Sequence, residues 1–257
     1  MSEILNPTLK TQIVYQQSAG LQDVPTHYCP GCHHGIIHKL IAESLVEMDL
    51  LKTAVGICAV GCSVLAGDYI NCDFVQAAHG RAPAVATAIK RLRPELPVFT
   101  YQGDGDLASI GAAEIMHAAM RGEKFTTIFV NNATYGMTGG QMAPTTLPSQ
   151  KTSTSPYGRN VANDGYPIRM AELLAQLEGV TYSARVAVNT PKDVVQAGRV
   201  IKQAFETQIQ GRGFSFVEVL SACPTNWGMD PLKANARIGE EMIPYFPLAT
   251  FKDTSAA

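Results

Sequence analysis

Charge is what this sequence has least of. Only 16% of its 257 residues are Asp, Glu, Lys or Arg, against about 25% in ordinary soluble domains. A surface so poor in charge is expected to be covered in large part by partner subunits. The two signs nearly cancel, with 20 basic residues against 22 acidic ones, and no basic block stands out. That excludes nucleic acid as the main ligand. Long apolar runs are also missing. The best of them, from Thr53 to Gly67, is broken by Gly56, Cys58, Gly61 and Cys62 and falls short of the ~20 apolar residues that span a bilayer. The stretch 1–24 is polar and lacks the apolar centre of a secretory leader. There is no repeat of solenoid or propeller length. No membrane association is expected, and the expected location is the reducing cytoplasm. Six cysteines in such a chain point to metal or redox chemistry rather than to a disulfide scaffold.

What is present alternates in type. Short β-branched and aromatic runs predict strands over 53–59, 74–77, 96–101, 125–130, 180–186 and 214–220. Between them, apolar residues at helical spacing predict helices. Ile37, Leu40, Ile41, Leu45 and Met48 form one such stripe, and others cover 83–92, 110–121, 168–176 and 191–208. Pro83 suits a first helical turn and Thr190 an N-cap. Strands alternating with helices imply an α/β fold, a mainly parallel sheet with helices on both faces. From Ala133 to Gly165 the periodicity stops in a segment rich in Gly, Thr, Ser, Pro and Asn, too long for a casual connection. The expected organisation is an N-terminal extension (1–24), one α/β domain (25–230) and a C-terminal tail (231–257) draped over a neighbour.

Two short motifs fall at the ends of predicted strands. Gly103-Asp104-Gly105-Asp106 follows one strand, and Asn131-Asn132 follows the next, with room between them for a single crossover helix. Both therefore lie at the strand C-terminal edge, where open α/β sheets bind ligands. The glycines let backbone N–H groups approach a phosphate at the start of a helix. The Asp104 carboxylate, the Asn132 amide oxygen and a nearby carbonyl are hard donors that suit Mg²⁺ shared with a diphosphate. Each motif alone reads as a turn; together, at this spacing, they favour a site.

The cysteines leave more room. Cys29-Pro30-Gly31-Cys32 is a C-x-x-C knuckle that serves zinc, dithiol or cluster chemistry equally well. Cys58, Cys62, Cys72 and Cys223 are scattered, and His33 and His34 keep zinc open. His79, after a predicted strand, is either an ordinary loop histidine or a ligand contact. Arg81 is a weaker anion-binding candidate. Glu114 and His117 read as an ordinary helix face.

Taken together, Gly103-Asp104-Gly105, Asn131-Asn132 and the continuation Ala133-Thr134-Tyr135-Gly136-Met137-Thr138-Gly139-Gly140-Gln141 resemble the β subunits of 2-oxoacid:ferredoxin oxidoreductases, which bind thiamine diphosphate. Cys29-Pro-Gly-Cys32, the Gly61-Cys62-Ser63 turn and Ser221-Ala222-Cys223-Pro224-Thr225 fit the same pattern. The resemblance implies that Asp104, Asn132 and the Thr134 carbonyl hold Mg²⁺. It implies that Val60, Gly61, Ser63, His79, Gly105, Asp106, Gly136 and Met137 line the cofactor, with Met137 as an apolar support. It further implies that Cys29, Cys32, Cys62 and Cys223 hold a [4Fe–4S] cluster, while Cys58 and Cys72 remain structural. His33 departs from the smaller residue that many relatives carry.

The implied activity is CoA-dependent oxidative decarboxylation of a 2-oxoacid to acyl-CoA and CO₂, with electrons passing through the cluster to ferredoxin. The glutamate that activates the aminopyrimidine belongs, by the same resemblance, to a pyrimidine-binding domain on an α subunit. With γ and ferredoxin-like δ subunits, this implies a hetero-oligomer. The rivals are a non-oxidative thiamine diphosphate decarboxylase or carboligase, a zinc or dithiol interaction module, and an architectural subunit with degenerate sites. Branched-chain 2-oxoacids and 2-oxoglutarate lead as substrates, ahead of pyruvate and aryl 2-oxoacids.

Overall fold

The computed structural model describes residues 14–254, so positions 1–13 of the expected N-terminal extension lie outside the described residues. In chain order the elements are α1 (His34–Glu47), β1 (Val55–Cys58), β2 (Asp73–Gln76), α2 (Ala82–Leu92), β3 (Val98–Gly103), α3 (Ala112–Met120), β4 (Thr126–Asn131) and the single turn α4 (Val161–Asp164). There follow α5 (Met170–Ala175), β5 (Val180–Ala187), α6 (Pro191–Ile209), β6 (Phe214–Leu220), α7 (Pro224–Trp227), α8 (Pro231–Arg237), α9 (Ile243–Tyr245) and β7 (Ala249–Asp253). The strands make one sheet in the order β2-β1-β3-β4-β6-β5-β7. All pairs are parallel except β5 with β7. The α/β expectation holds.

Alternation along the strands builds a core on each face. Phe99, Tyr101, Ile128, Val130, Val217 and Val219 meet α1 and α6 on one side. Val98, Phe129, Phe214 and Phe216 meet α2, α3 and α5 on the other. Strands covered on both faces are rich in β-branched and aromatic residues along their whole length, which is why their sequence signal is strong. The caps follow the sequence too: the Thr190 hydroxyl accepts the Asp193 N–H at 3.2 Å and opens α6.

Two departures bear on the site. The predicted helix over 110–121 begins earlier, as a wide π-helical turn at Asp106–Ile110 that is broken at Gly111 before α3. Such turns carry one extra residue per turn and recur at functional sites. The C-terminal segment is the larger correction. Through residue 253 it folds onto this chain's own sheet rather than standing apart from the α/β domain. Ala234, Ile238, Met242 and Phe246 pack with Ala133, Ala187, Leu220 and Ala222 into a third core at the strand ends. β7 then pairs antiparallel with β5, from Tyr182↔Asp253 to Arg185↔Ala249. The physical reason is the exposed edge of β5, whose unpaired N–H and C=O groups need a partner.

From β1 the chain goes outward to β2, then returns across to β3 on the opposite side of β1. The loops after β1 and β3 therefore diverge from one crevice, the position where open α/β sheets bind ligands.

Candidate active site

A cavity of about 230 Å³ opens at this crevice. The loop after β1 contributes Val60, Gly61, Cys62 and Ser63, and the loop after β2 contributes His79. The turn after β3 contributes Asp104, Gly105 and Asp106, and the loop after β4 contributes Asn132, Thr134, Gly136 and Met137. The structure thus brings every residue named above for the thiamine cofactor and the Mg²⁺ ion around one space.

Asp104 is buried, and both of its oxygens are engaged. Oδ2 accepts the Asn132 N–H at 3.0 Å, and Oδ1 accepts the Thr145 hydroxyl at 2.6 Å. Burial pushes its carboxyl up to about 7, partly opposed by those two donors. The two asparagines divide their work. Asn132 lines the cavity, and its Oδ1 accepts the Thr134 N–H at 3.3 Å. Asn131 points into the sheet, donating Nδ2–H to Glu218 Oε1 at 2.7 Å and accepting the Ala133 N–H at 3.1 Å. Ala133 itself sits at φ 57°, a left-handed turn held by the bonds of Thr146 and Gln150 to its carbonyl.

Asp106 accepts three donors: the Gly80 N–H at 2.6 Å, the Gln102 Nε2–H at 2.5 Å and His79 Nδ1–H at 2.7 Å. With both oxygens occupied by N–H groups, Nδ1 is the protonated ring nitrogen, and Nε2 is left to the cavity that His79 lines. Asp106 therefore acts on the cavity through His79. Arg81, an anion-binding candidate from the sequence, is instead paired with Glu114. Arg159 is buried and bonded to the carbonyls of Ala143, Pro144, Thr146, Asp164 and Gly165. It staples the 133–165 loop into one shape and is not a substrate cation.

The cysteines converge from three segments. Sγ of Cys62 and Sγ of Cys223 stand so close to Gly136 that a Cβ there would lie 3.4 and 3.5 Å from them. A side chain at 136 would be in van der Waals contact with both sulfurs and with the Asn132 amide nitrogen. The Cys32 N–H closes the knuckle on the Cys29 carbonyl at 3.0 Å. Burial, with the neighbouring sulfurs adding to it, pushes Cys32 up to about 12 and Cys62 up to about 11. Among the described residues no group of three or more His, Cys, Asp or Glu side chains is gathered tightly enough to hold one metal ion. Cys58 ends β1 in the core, and Cys72 packs against the same core.

Sequence reasoning missed a buried aromatic box that joins these parts. His34 lines the cavity and hydrogen-bonds the Tyr101 hydroxyl at 2.5 Å. Tyr28 stacks on His34 with centroids 4.7 Å apart and donates its hydroxyl to the Cys62 carbonyl at 3.0 Å. The knuckle is thereby tied to the Cys62 turn. Burial lowers His34 to about 3 and His38 well below its ordinary value, so both rings are neutral. His34 and His38, four apart on a helix directly after a C-x-x-C, were the available signal. Thr145 and Asn226 were missed as well, because their partners are distant in sequence.

Residues 59–219 match the family described as thiamine pyrophosphate enzyme, C-terminal TPP binding domain. The chain is similar to the ketoisovalerate oxidoreductase subunit VorA of Methanothermobacter thermautotrophicus. The two are 51% identical over 243 residues, 95% of this chain and 51% of that protein. It is also similar to the 2-oxoglutarate synthase subunit KorB of Archaeoglobus fulgidus, 38% identical over 208 residues, 81% of this chain and 73% of that one. The chain spans about half the length of the ketoisovalerate oxidoreductase relatives it matches. Among solved structures it resembles a 2-oxoglutarate:ferredoxin oxidoreductase from Magnetococcus marinus with 2-oxoglutarate, coenzyme A and succinyl-CoA bound. That match has a TM-score of 0.74 at 25% identity and covers 96% of this chain and 88% of the other. Fold, cavity and relatives agree: the chain belongs to the thiamine pyrophosphate enzymes, among the VorA- and KorB-type subunits of 2-oxoacid oxidoreductases.

Proposed function

We propose that this chain is the thiamine diphosphate-binding subunit of a hetero-oligomeric 2-oxoacid:ferredoxin oxidoreductase. The supporting observation is Gly136: this position lines the cavity, and a Cβ added there would lie within 3.5 Å of two cysteine sulfurs. The donor sets fit the groups. Asp104, Asn132 and the Thr134 carbonyl are hard oxygens for Mg²⁺, and a desolvated carboxylate such as Asp104 gains most from a cation beside it. Cys29, Cys32, Cys62 and Cys223 are four soft donors for a [4Fe–4S] cluster. Thiamine diphosphate supplies a carbon nucleophile and electron sink, and an iron–sulfur cluster takes electrons singly.

The chain's own residues then have defined tasks. Thr145 fixes the Asp104 rotamer through its 2.6 Å bond. Thr145→Val is expected to weaken Mg²⁺-dependent cofactor binding about tenfold, the worth of one hydrogen bond to a charged group; titration calorimetry with thiamine diphosphate checks this. His79 turns its Nε2 side to the cavity for the diphosphate, held in place by Asp106. Val60, Ile110 and Met137 form an exposed apolar rim around the opening, which favours a branched aliphatic 2-oxoacid over a dicarboxylate. The activating glutamate and most of the substrate pocket are assigned to an α subunit, with γ and δ subunits and ferredoxin downstream.

The test is a panel of 2-oxoacids with CoA and a viologen dye, run on the complex purified without oxygen together with its native partners. The expected result is a brown protein that bleaches with dithionite and reduces the dye fastest with 3-methyl-2-oxobutanoate. Preference for 2-oxoglutarate would overturn the substrate assignment alone. A colourless protein with stoichiometric zinc and no CoA-dependent dye reduction would overturn the function.

A further inference from the structure

The segment after Cys223 reaches both halves of the site through one side chain. Asn226, in the short turn α7, donates Nδ2–H to Cys223 Sγ at 3.2 Å and to the Gly136 carbonyl at 2.8 Å. An asparagine amide has two N–H bonds, so both contacts are made at once. The second partner lies in a small closed loop: Tyr135 and Gln141 pair as an isolated bridge, and the Gly140 N–H bonds the Tyr135 carbonyl at 2.9 Å. Gly136 and Met137, which line the cavity, belong to this loop. Its far end is shaped to admit the asparagine: Gly140 has φ 79°, and a Cβ there would come 3.0 Å from the Asn226 Cβ. Asn226 is a peg through the loop, with its amide turned toward a cysteine sulfur. The neighbouring Trp227 adds a parallel tie, donating Nε1–H to the Asn132 carbonyl at 3.1 Å.

We infer that Asn226 is a positioning residue that sets the reduction potential of the iron–sulfur cluster and holds the cofactor loop in register with it. This rests on the cluster assignment made above. An N–H···S bond stabilises the more negative, reduced cluster, and hydrogen bonds to sulfur are among the levers that set such potentials. The Gly136 bond makes the same amide sense where the loop stands. Removing the amide is therefore expected to lower the potential and to loosen thiamine diphosphate together, two effects that a plain packing role would not combine.

The experiment compares wild type, Asn226→Leu and Asn226→Gln as the complete complex, prepared anaerobically. A dithionite redox titration followed by electron paramagnetic resonance reads the potential, and retained thiamine diphosphate per cluster reads the loop. For Asn226→Leu the expected shift is about tenfold in the one-electron reduction equilibrium, ~59 mV toward more negative potential, with less cofactor retained. Asn226→Gln, which keeps an amide, is expected to recover part of both. An unchanged potential in Asn226→Leu with a full complement of iron and sulfide overturns the inference while leaving the function intact. Iron and sulfide missing from the wild type would instead remove the cluster assignment itself. Should Asn226→Leu fail to assemble, pulsed resonance of the reduced wild type labelled with ¹⁵N-asparagine decides. A ¹⁵N coupling that Asn226→Ser abolishes supports the bond, and its absence from the wild type refutes it.

Discussion

Asp104→Asn is expected to abolish Mg²⁺-dependent retention of thiamine diphosphate and, at the same time, to make the cofactor-free protein more stable at pH 8. Both effects come from one carboxyl group. Its pKa is raised from 3.8 to about 7, mainly by burial. A raised acid pKa means that the folded state holds a proton the unfolded state has released. Stability is therefore full below the unfolded value near 4 and is lost as pH climbs through about 7. Integrated over that window, the ionised carboxylate costs of the order of 4 kcal/mol in the empty site. Asparagine keeps the shape without the charge: its oxygen can accept the Asn132 N–H, and its amide can donate to the Thr145 hydroxyl, which rotates to suit. Denaturant titrations of the two cofactor-free proteins at pH 5 and pH 8 check the prediction. The variant should be the more stable at pH 8, with the gap closing toward pH 5. Equal stability at both pH values would show that Asp104 is not desolvated, and unchanged cofactor retention would remove it as a metal ligand.

That tension between stability and binding also explains which features were legible in the sequence. Strands such as Phe125–Val130 announced themselves because both faces are buried, and the run is made of aromatic and β-branched residues, Thr126 and Thr127 included. Gly103-Asp104-Gly105 and Asn131-Asn132 were legible as well, because backbone access and oxygen donors demand particular residue types at strand ends. β7, Ala249-Thr250-Phe251-Lys252-Asp253, was not. As an edge strand it stays half exposed, and only the bare flank of β5 tells it to be a strand at all. The wide turn at Asp106–Ile110 was equally hidden, since one extra residue per turn leaves no periodic trace. Thr145 and Asn226 illustrate a third kind of blindness. Each is an ordinary polar residue whose meaning lies in a partner across the fold, Asp104 for one and Gly136 for the other. No local pattern encodes such a pairing. The same holds for Arg159: the sequence shows a cation in a long loop, whereas the structure shows its charge spent on five carbonyls.

Arg185→Met is expected to destabilise the protein by about 3–5 kcal/mol, the usual consequence of removing one partner from a buried ion pair. At roughly 2–4 °C per kcal/mol for a domain of this size, thermal unfolding should move down by about 6–20 °C. Arg185 is a fully buried side chain in β5. Its guanidinium bonds Glu218 at 2.9 Å, Glu172 at 2.9 Å and the Pro247 carbonyl at 3.1 Å, and it lies against the rings of Phe246 and Phe251. Without it, Glu218 is left as a carboxylate with only neutral donors, Asn131 Nδ2–H and the Ala171 N–H. The loss does not stop there. Glu218 anchors Asn131, whose own oxygen holds the Ala133 N–H and so the left-handed turn beside Asn132. The C-terminal segment, pinned through Pro247, Phe246 and Phe251, is thereby linked by three buried side chains to a residue lining the cofactor cavity. Adding Glu218→Gln to Arg185→Met removes the stranded charge and is expected to recover part of the lost stability, so the two changes together should cost less than their sum. Strictly additive costs, or an Arg185→Met protein that unfolds at the wild-type temperature, would show that Arg185 and Glu218 are not the coupled buried pair described here.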